Sequence, residues 1–417
     1  MSERRNQNGS LAYENWTIIE AQGAYEVPLF TDAPIEKFFN KEYGPYLFMY
    51  TGHPPAQRVE CIPIIILRIQ DALNSIPGLA QVWRQLYSEG WEDDTKPPPK
   101  SARQHSDVDR YHGGFLHDEV AALASLCLGI RLKAGGVSRS FIASVDRRGR
   151  PIARDAFRTP TFLSSFFPAL IIPHAVMPTT FAPDLLANLL DLKPEATTAL
   201  TKAARLYQEA LWVAESSPEQ TWLWLVSAVE TAANYWRKEG KLPKEHLRII
   251  AEEQLRISHT QEIQELVELL DETTNEKVFN KVADIMAPLL QATRKFIAFS
   301  THFGFKQEAA LEPRPPVEGQ FEWTRENFQR AMGKIYKHRS DALHAGQAFP
   351  YPMCRPAEHR DGCGAPAEKP LSKVEHPTAT WEVQDIPLYL HMFAYIVQCA
   401  LCAWWEQKCP TEVPSAE

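Results

Sequence analysis

Two charges in this chain stand where apolar side chains are expected. At about 100° per residue, the segment Thr324 to Leu343 lines up Phe328, Ala331, Met332, Ile335 and Ala342 on one helical stripe. Arg339, four residues after Ile335 and three before Ala342, falls inside it. A second segment, opening at Pro218, lines up Trp222, Val226, Val229, Ala233 and Trp236, and Glu230 falls inside that stripe. Burying either charge alone is costly, so the two are expected to meet as a buried pair or across one cleft. Such a pair is either a structural link between packed helices or a device that holds Arg339 ready for an anionic group.

His344 extends the second possibility. It closes the Arg339 segment just before Ala345-Gly346, and Gly346 is a natural helix stop. A helix C-terminus favours the protonated imidazole, and histidine suits proton transfer near neutral pH. On an ideal helix Arg339 and His344 lie about 140° apart. They share a face if the last turn loosens or if a second copy of the helix contributes.

Other residues have ligand chemistry. His105, Asp107, Asp109, His112, His117, Asp118 and Glu119 are dense in metal-binding types. His117-Asp118 is half of a metal-phosphohydrolase signature whose other ligands are not evident, so no metal is assigned. Cys354, His359 and Cys363 could join Cys399 and Cys402 in a zinc site, although the last two read as packing on an apolar helix. Arg131, Lys133, Arg139, Arg147, Arg148, Arg150, Arg154 and Arg158 outweigh Asp146 and Asp155. That run is either a nucleic-acid or phosphate surface or a plain exposed hairpin.

The elements that must carry these residues are ordinary ones. The chain has 417 residues, enough for two or three domains. At 44% hydrophobic and 23% charged it has apolar mass for real cores. A net charge of −8 argues against a surface coated in basic charge, though not against a local basic site. Seven scattered cysteines and a polar start, Met1-Ser-Glu-Arg-Arg-Asn, point to a reduced, cytoplasmic protein without a signal peptide. The apolar stretch Leu388 to Trp405 is broken by His391 and Gln398, so it reads as a core helix rather than a membrane span.

Along the chain, Val59 to Leu67 is rich in isoleucine and favours a strand. Pro63 makes it an edge strand or one that begins after the proline, and a buried helix opening there stays open as an alternative. Glu89 to Asp107 reads as a linker or long loop, Leu116 to Leu132 as a helix ending before Gly135-Gly136, and Phe141 to Ala156 as a hairpin turning at Asp146 to Arg150. From Pro194 onward helices are expected at 195–216, from Ser217, at 244–272, 275–300, 324–343 and 386–405, with a Pro-rich loop at 350–380. The fold class is therefore α+β: a mixed α/β N-terminal domain, 1–195, followed by an all-helical domain, 196–417.

From residue 196 to about 410 the pattern resembles the HEPN superfamily (higher eukaryotes and prokaryotes nucleotide-binding), and within it the Apea-like group. The resemblance rests on Trp222-Leu-Trp-Leu-Val-Ser-Ala-Val-Glu230 in an early helix. It rests equally on Ile335-Tyr-Lys-His-Arg339-Ser-Asp-Ala-Leu-His344-Ala-Gly346 in a late one, similar to the family's arginine followed a few residues later by histidine. It implies a metal-independent endoribonuclease without cofactors, acting as a homodimer that pairs this helix across its axis. Arg339 would bind the phosphate, and His344 would move the proton. Glu230, Ser340 and Asp341 would support them; Ser340 stands where the family often has Asn, Asp or His. Arg325, Arg330, Lys334, Lys337 and Arg339 against Glu326 and Asp341 leave that helix net positive, with Lys334, Lys337 and His338 placed for RNA. The implied setting is bacterial defence against phage or a toxin-like stress response, with the trigger sensed by residues 1–195. The alternative is a non-catalytic HEPN module that binds nucleotide, RNA or a partner protein.

Overall fold

The computed structural model describes residues 24–31, 41–43, 46–50, 63–68, 116–135, 139–141, 150–151, 170–172, 185–186, 192–236, 292–305, 320–359 and 366–409. The linker at 89–107 and the helix at 244–272 lie outside them, as do all but the end of the helix at 275–300 and most of the Pro-rich stretch before 194. The described part is mainly helical with antiparallel strands, in keeping with an α+β chain.

The strands are β1 (Ala24–Thr31), β2 (Lys41–Tyr43), β3 (Tyr46–Tyr50), β4 (Pro63–Arg68), β5 (Leu132–Ala134), β6 (Arg139–Phe141) and β7 (Arg150–Pro151). They form one sheet in the order β2-β3-β4-β1-β6-β7, with β5 also paired to β1. The run Pro63-Ile-Ile-Ile-Leu-Arg suits a pleated ribbon because branched side chains pack well there. It begins at the proline, opposite Tyr50, where a missing N–H interrupts nothing further along the ladder. The edge-strand and helix alternatives both fail, since β4 lies between β3 and β1. The hairpin expected over Phe141 to Ala156 is present but begins earlier, with Arg139 opposite Pro151 and Ser140 opposite Arg150. Its first strand is drawn back because the same residues pair on their other edge with Ala24 to Glu26 of β1.

Helix α1 (Leu116–Leu128) is shorter than expected. Gly129 takes the left-handed conformation at φ 65° and ends it, which frees Leu132 for β5. Helices α2 (Pro194–Val213) and α3 (Pro218–Trp236) form a helical hairpin, each opened by a proline whose absent N–H the first turn does not need. The Thr221 hydroxyl donates to the Ala210 carbonyl at 3.1 Å and staples the two together. Helix α4 (292–299) runs straight into a π-helical turn, Ser300–Gly304.

Helix α5 (Arg325–Ala345) has the boundaries its caps dictate. The Thr324 side chain accepts from the Asn327 N–H at 3.2 Å, and Gly346 closes the helix at φ 63°. The loop expected at 350–380 is more structured than its prolines suggested, with a 3₁₀ turn, Tyr351–Cys354, and a hairpin of β8 (Val374–His376) and β9 (Ala379–Trp381). Helix α6 (Leu390–Lys408) starts four residues late. Pro387 disfavours helix at Ile386, and the Tyr389 N–H is already given to the Glu368 carbonyl at 2.9 Å.

Helix α6 is the core of the molecule, buried nearly throughout, as expected for an interior helix. Trp222 of α3 is stacked between Phe349 and Phe393, and its indole N–H donates to the Met353 carbonyl at 3.0 Å. Helix α1 shares this core: the Gln398 amide donates to the Leu126 and Cys127 carbonyls at 3.0 and 3.3 Å. An element placed before residue 195 thus packs into the helical layer that follows it. Among the described residues no helix is long and apolar enough to cross a membrane.

Candidate functional site

The two charges singled out on apolar stripes do meet. An Arg339 Nη2 hydrogen is donated to Glu230 Oε2 at 2.8 Å, linking α5 to α3, and the two side chains are 18% and 16% exposed. The stripes put them there. Phe328, Ala331, Met332 and Ile335 are buried on α5, and Trp222, Val226, Val229 and Ala233 on α3, so the helices dock with both charges at the margin of the core.

A third residue, which the sequence reading did not single out, completes the arrangement. The Tyr336 hydroxyl donates to the other carboxylate oxygen, Glu230 Oε1, at 2.7 Å. The Arg339 guanidinium also sits 5.5 Å from the centre of the Tyr336 ring. Burial, and after it the bond to Glu230, pushes the Tyr336 hydroxyl far above its ordinary range, so it stays a donor at any physiological pH. The pairing therefore uses both Glu230 oxygens but one guanidinium nitrogen. Arg339 Nε is sealed from solvent and, among the described residues, has no hydrogen-bond partner.

His344 lies on the last turn of α5 and is exposed. Beside it Leu343 is 52% exposed, an unusual setting for a large apolar side chain. Ser340 and Asp341 are half-buried, and Asp341 pairs with Lys337 at 2.7 Å. Lys334 donates to the Gln384 carbonyl at 2.6 Å. Much of the positive charge counted on this helix is thus already answered from within the chain. His338 is half-buried near Phe349. Burial, helped by Lys337, lowers its pKa and keeps the ring neutral near pH 7.

The remaining constellations are dispersed. Arg131 does not belong to an exposed basic surface: it is buried and pairs with Glu215 at 2.7 Å, and it also donates to the Leu211 carbonyl at 2.6 Å. Lys133 pairs with Glu209 at 2.7 Å. His105, Asp107, Asp109, His112 and Cys363 lie outside the described residues. Cys399 and Cys402 are core thiols on α6, and among the described residues no group of three or more His, Cys, Asp or Glu could hold a metal. Glu119 is buried at the start of α1. Burial raises its pKa to about 8 against the opposing pull of Arg205, with Asp118 adding to the rise. Compared with family models, with characterised proteins and with solved structures, the chain matches none of them.

Proposed function

We propose that the helical part of this chain is a metal-independent endoribonuclease of HEPN type that works as a homodimer. The observation that carries this reading is Arg339, held at the edge of the core by Glu230, with exposed His344 ending the same helix. In the proposed reaction the RNA 2′-oxygen forms a bond to the adjacent phosphorus and the bond to the 5′-oxygen breaks. The products are a cyclic phosphate and a 5′-hydroxyl. Arg339 stabilises the charge that builds on the phosphoryl oxygens. His344 accepts the 2′-hydroxyl proton or gives one to the leaving 5′-oxygen.

Because Arg339 and His344 lie about 140° apart on one ideal helix, the pair that acts on one phosphate comes from two copies of α5. Leu343, exposed beside His344, would lie in that contact. Residues 1–195 then recognise a phage or cellular trigger, and the setting is bacterial defence or a toxin-like stress response. The competing reading, a non-catalytic module that binds nucleotide, RNA or a partner protein, draws its support from Glu230, which already occupies Arg339.

The test is RNA cleavage by the purified full chain in EDTA, with the ends analysed for cyclic phosphate. Arg339→Ala should cost about 10²–10³-fold in rate, and His344→Ala about 10²–10⁴-fold. A His344→Ala protein that cleaves as fast as wild type overturns the nuclease reading.

A further inference from the structure

We propose that Tyr351, His376 and Trp381 form a platform on which unpaired bases stack, so that the strand taken by the proposed site is single-stranded RNA. The choice of RNA rests on the endoribonuclease reading. The platform itself rests on the rings and on the charges around them.

Tyr351 is 39% exposed, a setting that among the described residues it shares, for a large apolar side chain, only with Leu343. Its ring centre lies 5.0 Å from that of His376 and 6.4 Å from that of Trp381. The three planes are inclined to one another by 30° to 57°, so no ring is stacked flat on another and π surface stays available. Arg355 holds its guanidinium 5.1 Å from the centre of the Tyr351 ring. It is exposed and makes no ion pair among the described residues. Aromatic faces and guanidinium planes are the surfaces on which single-stranded bases stack, and the cation also attracts the phosphates beside them.

The register of the β8–β9 hairpin turns its acid away from the rings. Val374 stands opposite Trp381 and His376 opposite Ala379. Alternate residues of a strand share a face, so His376 and Trp381 point the same way. Glu375 points the other way, where it pairs with exposed Lys373 at 2.9 Å, and Glu382 acts on the same lysine. The Thr378 N–H donates to His376 Nδ1 at 3.4 Å and holds that ring in its orientation.

The platform is continuous with α5. Tyr351 follows His344 by seven residues, which is at most about 25 Å of chain. Residues 343–348 between them are all exposed. Lys334 of α5 donates to the Gln384 carbonyl at 2.6 Å, three residues beyond Trp381. That bond ties the end of the hairpin to the helix and leaves the ammonium charge in place, since a carbonyl does not neutralise it. A strand whose bases lie on the rings therefore carries its phosphates alongside α5, the helix that ends at His344. The bases of a duplex are already stacked within it, so the platform selects single strands.

The experiment follows, by fluorescence anisotropy in EDTA, the binding of labelled 2′-O-methyl oligoadenylate to the full chain. The probe has no free 2′-hydroxyl and so is not cut by attack of that oxygen. An abasic strand of equal length and the duplex with oligouridylate are the controls. Tyr351→Ala should weaken oligoadenylate binding about tenfold, the loss of one stacked base, and Tyr351→Trp should keep it. Neither change should alter binding of the abasic strand, and Thr380→Ala, on the opposite face of the hairpin, should alter neither. Tyr351→Ala that binds oligoadenylate as tightly as wild type, or that loses the abasic strand equally, overturns the platform. Wild type that prefers the duplex also overturns it. If Tyr351→Ala fails to fold, His376→Ala decides: unchanged affinity for oligoadenylate refutes the proposal. Unmodified RNA separates this inference from the function it rests on. A chain that binds through Tyr351 but cuts no RNA keeps the platform and loses the nuclease. A chain that cuts RNA at the same rate with and without the Tyr351 ring keeps the nuclease and loses the platform.

Discussion

The Gln398 amide occupies the space that a side chain on Gly129 would need. A Cβ built on Gly129 would stand 2.6 Å from Gln398 Oε1, and Gly129 is also held at φ 65°. Gly129→Ala thus combines a left-handed alanine, about 1–2 kcal/mol, with displacement of the amide that satisfies the Leu126 and Cys127 carbonyls, about 1–3 kcal/mol. A loss of roughly 2–5 kcal/mol in urea denaturation is expected. In a Gln398→Ala background the same glycine change should cost about half as much, since the clash is gone.

Arg339→Ala should destabilise the fold by about 2 kcal/mol, below the range for a fully buried pair because both partners are partly exposed. Among the described residues Glu230 would keep only Tyr336 as a partner. Denaturation beside cleavage rate separates this loss from catalysis. A variant that stays folded under the assay conditions and no longer cleaves assigns Arg339 to the reaction as well as to the fold.

Two buried groups should tilt stability against pH in opposite directions. Glu119 titrates near 8 in the fold because of burial, so its favourable contribution is full below the ordinary carboxylate pKa, about 4.5, and is lost as pH rises to 8. His391 is lowered to about 4 by burial, with His359 adding to the effect, so it stays neutral in the fold. Its unfolded form gains a proton as pH falls below about 6.5, and stability is lost from there down to 4. Between 4.5 and 6.5 the two slopes oppose each other. Urea denaturation across that window should show stability rising with pH in Glu119→Gln and falling with pH in His391→Phe.

Leu343→Glu places a charge on the exposed apolar position beside His344. If α5 pairs across a dimer, the variant should shift sedimentation from dimer to monomer and lower RNA cleavage, with little change in melting temperature. A wild-type chain that sediments as a monomer at micromolar concentration would falsify the shared site.

What could be read from the sequence was governed by sequence distance. Helix α5 was legible to within two residues because Thr324 and Gly346 are local signals, and the Glu230–Arg339 contact because each charge breaks a local period. Tyr336 was not, since an aromatic next to Ile335 looks like ordinary packing until α3 supplies a partner for its hydroxyl. Arg131 was counted as surface charge because its partner, Glu215, is 84 residues away. The central place of β4 depends on pairing with a strand that begins at Ala24, and the late start of α6 depends on a carbonyl at Glu368. Neither leaves a mark on the local pattern.

The π-helical turn at Ser300–Gly304 acts as a phase shifter between two grips. At its end Gly304 lies close against Ile396 and Ala400 of α6; before it, Phe296 packs against Tyr336. A π turn carries one residue more than an α turn in the same hydrogen-bonded span, so it offsets the faces of the helix on either side by about 100°. Removing one residue from 300–304 would restore regular α-helix and keep every apolar side chain type. With Gly304 still seated on α6, it would also swing Phe296 away from the tyrosine. The Tyr336 ring, which lies against the Arg339 guanidinium, would lose its packing partner on α4, so helix content and site geometry would change independently in such a deletion.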